Sequence, residues 1–375
     1  MTVVHPIPSA WLTKGGTGAQ NYDEFADEAE ITEIIAAKPL SALAIEMPHK
    51  APDSLGKSFE QSLPDAVSRL AAAKAAGAYG HHENVVVLYR ITGETVSYGL
   101  WCMVDTDQIS TSADEPGLVI RNEDVFPEKV RERVALADAL GHLLSPVLLL
   151  QTGRGEELHT ALALACDDAG APSATDVDPS GRKHEIWPVP EGMLATRLTE
   201  LAGGGDLVVA DGNHRSLAAQ TGGLQRFLAV VTTPDSVTIE PYNRLVRDVS
   251  LVGGEYGGRV RVYTREDDQR VLLLPEDPSL GFVENMDHAR VERVLLGEML
   301  GLEPGDKRIT YVGGDYPDSW LIGEVDAGRA DLAVLIEPVT VPDFIAVNLA
   351  RQKMPRKSTW FTPKARAGLV VAELG

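Results

Sequence analysis

Residues that suit phosphate binding follow a short apolar stretch in the middle of the chain. After residues 207–210 come Asp211, Gly212, Asn213, His214 and Arg215, and then a stretch of helical character rich in Ala and Leu. A glycine at a strand-to-helix turn can adopt a positive φ and leaves backbone N–H groups at the helix N-terminus, where anions bind. Arg215 and His214 would add donors to the same phosphate. The pattern predicts an anion site, although a purely structural turn would use the same Asp-Gly pair.

The carboxylate of Glu123 follows the segment 117–121 and precedes a predicted helix. It follows Asn122 and precedes Pro127, which suits the first turn of the helix that we predict over residues 128–143. In this position Glu123 can act as a general base that takes a proton from a substrate hydroxyl. A charge partner for the helix N-terminus would have the same position, and the sequence leaves both interpretations open.

A basic segment near the C-terminus contrasts with the formal net charge of −21 of the whole chain. Residues 344–372 contain six Lys and Arg side chains and no Asp or Glu. Within them, Lys357, Ser358 and Thr359 offer one cation and two hydroxyls to a phosphate, without the glycines of a P-loop. Arg244, which follows another predicted strand, is a further candidate. A solvated basic tail would have the same composition.

Length and composition limit the function classes. A chain of 375 residues can form two domains, and we predict a boundary near Val237, with domains at 1–237 and 238–375. The acidic balance disfavours nucleic-acid binding. The sequence contains no run of about 18 apolar residues, so we expect no membrane-spanning helix. The first residues do not resemble a signal peptide, and we therefore expect a cytoplasmic protein. The two cysteines, Cys102 and Cys166, match no metal-binding spacing, and we predict no metal ligands.

The order of predicted elements is mixed, which is typical of an α+β fold. Residues 171–183 are rich in Pro, Asp, Ser and Gly, and we predict a loop there. Strands are predicted at 41–47, 85–91, 95–104, 147–150, 184–189, 207–210, 226–231, 238–246, 255–265, 269–274, 309–313 and 332–336. Helices are predicted at 58–78, 128–143, 156–169, 192–201 and 289–300.

Taken together, these segments resemble a large bacterial family of uncharacterised proteins that is marked by the motif A-D-G-H-H-R. The resemblance covers most of the chain. Its blocks are residues 117–123 with the following helix, 145–150, 184–187, 210–215, 239–246, 354–364 and 368–370. That family is in turn similar to the ParB/sulfiredoxin-like fold, which includes free-serine kinases. The resemblance implies a ParB/sulfiredoxin-like core and an additional mixed α/β C-terminal region that carries the basic K-S-T segment.

The same resemblance implies an activity and roles for individual residues. In serine kinases of this fold a Glu acts as base on the substrate hydroxyl, and a D-G-H-x-R loop holds the nucleotide phosphates. Glu123 would then be the base, and Asp211, Gly212, His214 and Arg215 would form the phosphate site. The donor would be ATP or ADP with Mg²⁺, and the acceptor would be serine or a serine-like metabolite with a hydroxyl group.

Three positions depart from the family pattern, because Asn122, Asn213 and Asn243 stand where the family has histidines. An asparagine still donates hydrogen bonds, but it cannot carry a proton. The alternative prediction is therefore a nucleotide-binding regulatory protein, or a nucleotide hydrolase, with the same phosphate loop. A structural protein that keeps a vestigial loop is a third interpretation.

Overall fold

The computed structural model describes residues 3–22, 24–26, 28–110, 117–251, 256–266 and 270–375. It divides the chain into two compact units, of which the first comprises Met1–Val237 with Pro363–Gly375 and the second comprises Thr238–Thr362. The predicted domains at 1–237 and 238–375 remain a prediction. By its contacts, however, Pro363–Gly375 belongs with the first unit.

Helices and strands alternate irregularly along the described chain. The strands are β1 Val4–His5, β2 Ile7–Thr13, β3 Tyr79–Thr92, β4 Val96–Asp105, β5 Val119–Ile120, β6 His142–Leu143, β7 Val147–Gln151, β8 Ala174–Val177, β9 Lys183–Pro190, β10 Leu207–Asp211, β11 Arg226–Thr232, β12 Thr238–Glu240, β13 Asn243–Val246, β14 Tyr256–Tyr263, β15 Arg270–Leu272, β16 Ile309–Val312, β17 Leu332–Ile336, β18 Trp360–Thr362 and β19 Val370–Glu373. The α-helices are α1 Glu28–Ala37, α2 Ala42–Glu46, α3 Leu63–Ala75, α4 Pro127–Leu140, α5 Gly155–Asp168, α6 Met193–Ala202, α7 Asn213–Thr221, α8 Asp287–Arg290, α9 Asp318–Asp326 and α10 Val341–Leu349. Single 3₁₀ turns lie at Pro48–Lys50, Glu60–Ser62, Thr106–Gln108 and Pro234–Ser236, and a π-helix spans Val291–Met299.

The first unit is built on a mixed sheet in which β5, β10, β7, β11, β4, β3, β2, β19 and β6 are neighbours in that order. The alternation in the sequence predicts the β3–β4 hairpin with its turn at residues 92–94, and the hairpin turns at residues 93–95, with Thr92 opposite Val96. Most neighbours are antiparallel, but β10 pairs with β5 and β11 pairs with β7 in parallel. The last strand, β19, lies between β2 and β6. The combination of helices with a large mixed sheet agrees with the predicted α+β class.

Two apolar cores stabilise this unit. One core joins the sheet to α5 and α6, through residues such as Leu88, Leu149, Leu162 and Leu198. In the other core the helices α1, α2, α3 and α4 pack with β19, to which Val371 belongs. Both cysteines are buried and free. Burial raises the pKa of the Cys166 thiol to about 12, so this thiol is protonated at neutral pH.

Two predicted elements of the first unit are wrong. The segment 41–47 was expected to be a strand, but Ala42–Glu46 forms the helix α2, whose residues are all buried. A short apolar run that is covered on all sides carries no periodicity that distinguishes the two structures. The loop predicted at 171–183 contains β8, which pairs with β9 as a short antiparallel strand. Helices near 63–75, 127–140, 155–168 and 193–202 are confirmed, with ends shifted by a few residues.

The second unit contains a five-stranded sheet in the order β15, β14, β17, β13 and β16, together with the antiparallel pair β12 and β18. Its core includes Val246, Val262, Leu295 and Val334. The predicted strands near 255–265 and 269–274 are confirmed where they are described, although Glu255 and Gln269 lie outside the described residues. No helix in the described part of the chain is long and apolar enough to cross a membrane.

Candidate functional site

Glu123 and Asp211 follow neighbouring parallel strands at the same edge of the first unit's sheet. In the β5–β10 pair, Val119 is opposite Leu207 and Ile120 is opposite Val208. Glu123 comes three residues after Ile120, and Asp211 comes three residues after Val208. The carboxyl ends of the two strands therefore bring the predicted base and the start of the predicted phosphate loop to one place. Ends of parallel strands are common positions for ligand sites in sheets with helical connections.

The turn after β10 requires glycine. Gly212 has φ 97° and ψ 31°, a left-handed conformation, and it is the residue that precedes α7. A Cβ atom at this position would lie 2.9 Å from Nε of Arg215 and 3.2 Å from Cα of Val147. The approach to the backbone of β7 is close because Ala210 forms a bulge in the β7–β10 ladder, where Val209 is opposite Leu149 and Asp211 is opposite Leu148.

Helix α7 begins directly at this glycine, so its first turn faces the loop. The first helical hydrogen bond runs from the Ser216 amide to the Gly212 carbonyl, at 2.9 Å. The amides of residues 213–215 precede that bond, and first-turn amides have no intrahelical acceptor. Together with the helix dipole, such amides favour an anion. An anion site at this turn remains a prediction.

The side chain of Asn213 is turned toward the Glu123 segment. Its Nδ2 donates to Oδ1 of Asn122 at 2.5 Å, and its Oδ1 accepts from the backbone amide of Asn122 at 3.2 Å. Both asparagines are buried. Asn213 was predicted to contact phosphate, but its carboxamide holds the residue before Glu123 instead. Only its backbone amide belongs to the first turn of α7.

His214 links α7 to the start of α4. Its Nε2 accepts a hydrogen bond from the backbone amide of Phe126 at 3.0 Å, and the two rings stack at 6.0 Å with an interplanar angle of 7°. A ring nitrogen that accepts a hydrogen bond carries no proton. In this arrangement Nε2 is therefore not a donor to phosphate, and the imidazole positions the loop that carries Glu123.

Asp211 lies between two cations. Arg215 donates from Nη2 to Oδ2 of Asp211 at 2.5 Å, and Nζ of Lys364 lies 3.6 Å from Oδ1. The three side chains are largely buried, with 15% or less of each exposed. Arg215 was predicted to bind phosphate in a bidentate manner. In this structure its guanidinium folds back onto Gly212 and Asp211, so it fixes the loop.

The structure adds to the site three residues that the sequence did not predict there. Asn21 donates from Nδ2 to Oε1 of Glu24 at 2.8 Å and to Oδ2 of Asp211 at 3.4 Å. Lys364 lies 3.9 Å from Oε1 of Glu24. Lys364 lies in the basic segment of residues 344–372, and the positive charge of that segment could have indicated it as an anion-site residue. Asn21 and Glu24 lie in a region with no motif, and only the fold brings them to Asp211.

The remaining predicted residues belong to the second unit. Arg244 is fully buried, and its Nε donates to Oε1 of Glu292 at 2.9 Å. Its Nη1 donates to the carbonyl oxygen of Tyr242 at 2.8 Å, and its Nη2 donates to the carbonyl oxygen of Arg356 at 3.5 Å. The guanidinium also lies 4.4 Å from the ring of Tyr311. Every nitrogen of Arg244 is thus used inside the second unit, which explains its burial without a phosphate.

The K-S-T segment is near Arg244. Lys357 has a positive φ of 54°, and its Nζ lies 5.3 Å from the centre of the Tyr242 ring. Ser358 is buried, and its hydroxyl has no hydrogen-bond partner among the residues that the structure describes. Thr359 is half-buried. Arg244 and Lys357 both lie near the Tyr242 ring, at 5.9 Å and 5.3 Å from its centre, and their predicted role as phosphate contacts remains a prediction.

Asn243 and His288 complete this polar cluster of the second unit. Oδ1 of Asn243 accepts from the amide of Ile336 at 2.9 Å, so this asparagine supports the sheet. His288 is buried, and burial together with the charge of Arg244 lowers its pKa to about 3. The imidazole is therefore neutral over the physiological pH range.

In the parts of the chain that the structure describes, no three His, Cys, Asp or Glu side chains are grouped so that they could hold a metal ion.

Several solved structures match this chain at low sequence identity. A free serine kinase in complex with AMP is 11% identical, with a TM-score of 0.40, and the match covers 70% of this chain and 87% of that chain. A conserved hypothetical protein from Pyrococcus furiosus is 10% identical, with a TM-score of 0.39 and coverage of 72% and 95%. SbnI with a C-terminal truncation, from Staphylococcus aureus, is 11% identical, with a TM-score of 0.38 and coverage of 71% and 84%.

None of the curated proteins matches this sequence. A family model does match, over residues 17–263, and its description is protein of unknown function (DUF1015). This agrees with the expectation of a family of unknown function. The match includes β5, Glu123, the Asp211–Gly212 turn and α7, as well as β13 with Arg244. The chain therefore belongs to the DUF1015 family.

Proposed function

We propose that this protein is a small-molecule kinase that transfers a nucleotide phosphate to the hydroxyl of serine or a serine-like metabolite. The observation that carries the proposal is the register of β5 and β10, which puts a carboxylate, Glu123, beside a glycine turn that opens a helix. We also propose that the first unit has a ParB/sulfiredoxin-like core, on the sequence resemblance described above, and that the protein is cytoplasmic.

The phosphate site in this proposal is mainly backbone. The amides at the start of α7 would bind the transferred phosphate or its neighbour, since the N-terminus of a helix favours an anion. Asp211 does not repel that phosphate strongly, because Arg215 and Lys364 neutralise its carboxylate. Lys364 is the cation best placed to turn from Asp211 toward a phosphate, since Arg215 is held against Gly212. Arg244, Lys357, Ser358 and Thr359 remain proposed contacts.

Glu123 is the proposed base. The hydroxyl of the acceptor would lose its proton to the Glu123 carboxylate while its oxygen attacks the terminal phosphorus, and the bond from phosphorus to the nucleotide oxygen breaks. Such transfer depends mainly on alignment and on charge neutralisation. The Asn122–Asn213 pair supplies alignment, because it ties the residue before Glu123 to the first residue of α7. The base and the phosphate loop would therefore move together.

Mg²⁺ fits the proposal as a companion of the nucleotide. Asp211 is already bonded to Arg215 and Asn21, so it is a poor ligand for a resident ion. Magnesium sites for nucleotides commonly use one or two carboxylates plus the phosphates themselves. When bound with ATP or ADP, the ion would neutralise charge on the phosphates.

A second candidate function is a nucleotide-binding regulatory protein or a nucleotide hydrolase. The observation that favours it is the Asn122–Asn213 pair itself, in which two side chains that replace histidines are bonded to one another. Neither can shuttle a proton. Nucleotide would then bind at α7 with no transfer to an acceptor.

Phosphorus NMR separates these candidates. The purified protein is incubated with Mg²⁺ and ATP or ADP, with and without a panel of hydroxyl amino acids. We expect a new phosphomonoester signal that depends on one acceptor and that falls by about 10²-fold or more in Glu123→Gln, as is typical of losing a general base. Glu128→Gln is the matched control, because Glu128 is exposed in the first turn of α4 and should not alter transfer.

Other outcomes are equally informative. Formation of inorganic phosphate alone would favour the hydrolase. Nucleotide binding without any turnover would favour the regulatory protein. A phosphomonoester signal of equal size in Glu123→Gln would show that Glu123 is not the base.

A further inference from the structure

A chain of buried hydrogen bonds joins β3 of the first unit to the hairpin of β8 and β9. The hydroxyl of Tyr89 on β3 lies 2.6 Å from Nδ1 of His184 on β9, and Nε2 of His184 lies 3.2 Å from Oδ2 of Asp178. Tyr89 and His184 are each only 1% exposed. The block 184–187 of the family resemblance begins at this histidine, and the proposed function gives it no role.

The hydrogen bonds of this chain run in one direction. A carboxylate accepts but does not donate, so Nε2 of His184 donates to Asp178. Burial lowers the pKa of His184, and the neutral imidazole then has a bare Nδ1 that accepts the hydroxyl proton of Tyr89. The oxygen of Tyr89 in turn accepts from the backbone amide of Arg366, at 3.3 Å. Through two side chains, Asp178 thus determines how the Tyr89 hydroxyl is oriented toward an amide near the C-terminus.

The backbone on both sides of that amide is fixed by further contacts. Nε of Arg366 donates to Oδ2 of Asp176 in β8 at 2.6 Å, and its Nη2 donates to the carbonyl oxygen of Gly18 at 2.9 Å. The next residue, Ala367, exchanges backbone hydrogen bonds with Ala19 at 2.9 Å and 3.0 Å. Residues 366 and 367 are therefore tied to β3, to β8 and to residues 18 and 19.

This anchored segment carries Lys364, which lies two residues earlier in the chain. Nζ of Lys364 lies 3.6 Å from Oδ1 of Asp211, and the lysine side chain is 12% exposed. Between the anchor and the lysine, the carbonyl oxygen of Ala365 accepts from Nδ2 of Asn21 at 3.5 Å, and the same Nδ2 donates to Oδ2 of Asp211 at 3.4 Å. Two residues span at most about 7 Å. A displacement of the backbone at Arg366 therefore moves the ammonium group relative to Asp211.

We propose that Tyr89, His184 and Asp178 are positioning residues that hold Lys364 at the phosphate loop. The Tyr89 hydroxyl keeps the backbone at Arg366 in place while the Lys364 side chain turns from Asp211 toward a phosphate. A backbone that is already fixed loses less conformational freedom when the ammonium group meets its ligand. The role of Lys364 toward phosphate rests on the proposed function, whereas its placement by Tyr89 does not.

Lysine acetylation followed by mass spectrometry tests the placement, on the full chain without nucleotide. Limiting acetic anhydride modifies accessible lysines, and Lys364 should react slowly in the natural protein. Tyr89→Phe leaves the Arg366 amide and Nδ1 of His184 without their partner, so the rate at Lys364 should rise about tenfold. The half-buried Lys74 should keep its rate in the same sample, which separates a local release from general unfolding.

Two further variants complete this measurement. Tyr98→Phe is the matched control, because Tyr98 is a half-buried tyrosine of the neighbouring strand β4, and it should leave the rate at Lys364 unchanged. Asp178→Asn should raise that rate by less than Tyr89→Phe does, since an amide at this position reverses the proton on His184. It keeps the proposal testable if Tyr89→Phe fails to fold. An unchanged rate at Lys364 in both Tyr89→Phe and Asp178→Asn would overturn the proposal.

The affinity for ATP, measured by isothermal titration calorimetry, tests the role toward phosphate. Lys364→Met should weaken binding about tenfold. Tyr89→Phe should also weaken it, and the double variant should bind as Lys364→Met does, because Tyr89 acts through Lys364. Additive losses in the double variant would overturn the proposal. If the natural protein binds neither ATP nor ADP, the proposed function fails, and the acetylation rates alone decide whether Tyr89 places Lys364.

Discussion

The turn at Asp211–Gly212 in the first unit and the polar cluster around Arg244 in the second unit are both predicted from phosphate-seeking residue types. In the first, the side chains of Asn213, His214 and Arg215 bond to neighbouring residues, and α7 begins directly after Gly212. In the second, Arg244 is wholly enclosed by carbonyl oxygens, Glu292 and aromatic rings. The same residue types therefore fix a loop at the start of a helix in the first unit, and in the second unit they are enclosed by it.

The largest expected effect concerns Arg244. Arg244→Met should lower the free energy of unfolding by about 3–5 kcal/mol, because it leaves Glu292 without its buried partner. Denaturant unfolding measures this loss. Arg261→Met is the control, since the Arg261–Asp318 pair is about one-third exposed and should contribute less than about 1 kcal/mol. If both variants are equally mild, Arg244 is not the structural centre of the second unit.

The next effect is a pH dependence of the same cluster. The pKa of His288 is about 3 in the folded protein and 6.5 in the reference state, so the unfolded chain binds more protons between these values. Stability is then fully present above pH 6.5 and is lost as the pH falls toward 3, by at most about 1.4 kcal/mol per pH unit.

His288→Gln isolates this contribution. Its unfolding free energy, measured from pH 7 to pH 4, should fall less steeply than that of the natural protein. His82→Gln is a control, since His82 is only half-buried. Identical slopes for His288→Gln and the natural protein would contradict a neutral, buried His288.

A smaller effect tests the first region. Gly212→Ala should destabilise the protein by about 1–2 kcal/mol through its left-handed φ, and it should also weaken nucleotide binding because the close contact with Val147 displaces the loop. Gly223→Ala is matched, because Gly223 has φ 74° and open space around its Cα. It should show the stability loss without the loss of nucleotide binding. Equal nucleotide affinity in the two variants would argue against the α7 site.

The smallest effect decides whether the second region also binds nucleotide. Lys357→Met should change stability by less than about 1 kcal/mol, since its described contact is a cation–π interaction with Tyr242. If Lys357 contacts phosphate, as proposed, the affinity for ATP measured by calorimetry should fall about tenfold and depend less on salt. Unchanged affinity would confine the phosphate site to the first region.

Local patterns in the sequence predict much of the fold, because each depends on neighbouring residues only. The Thr92 turn, the proline that opens α4 and the glycine before α7 are examples. The α2 helix was predicted as a strand, since its five residues are too few to show a period. The strands β2 and β19 were missed. Their pairing joins residues about 360 positions apart, and no local signal encodes it.

The residues of the candidate site also fall into those that local sequence patterns predict and those that only the tertiary structure reveals. The Asp-Gly pair in the sequence predicts the turn at Gly212. The position of Glu123 near this turn depends on the register of β5 and β10, which the sequence does not show. The roles of Asn213 and His214 depend on where their side chains turn, which residue type does not specify. Asn21 and Glu24 reach Asp211 only through tertiary packing, so they could not be found from spacing.

The position of β19 has a consequence for synthesis of the protein on the ribosome. Because this strand fits between β2 and β6, the sheet of the first unit stays incomplete until residues 370–373 have left the exit tunnel. Contacts so distant along the chain close slowly. Lys364 arrives with the same segment, so Asp211 acquires its second counter-ion only as this final strand pairs. Folding of the first unit and electrostatic completion of the candidate site are thus expected to be a single late event.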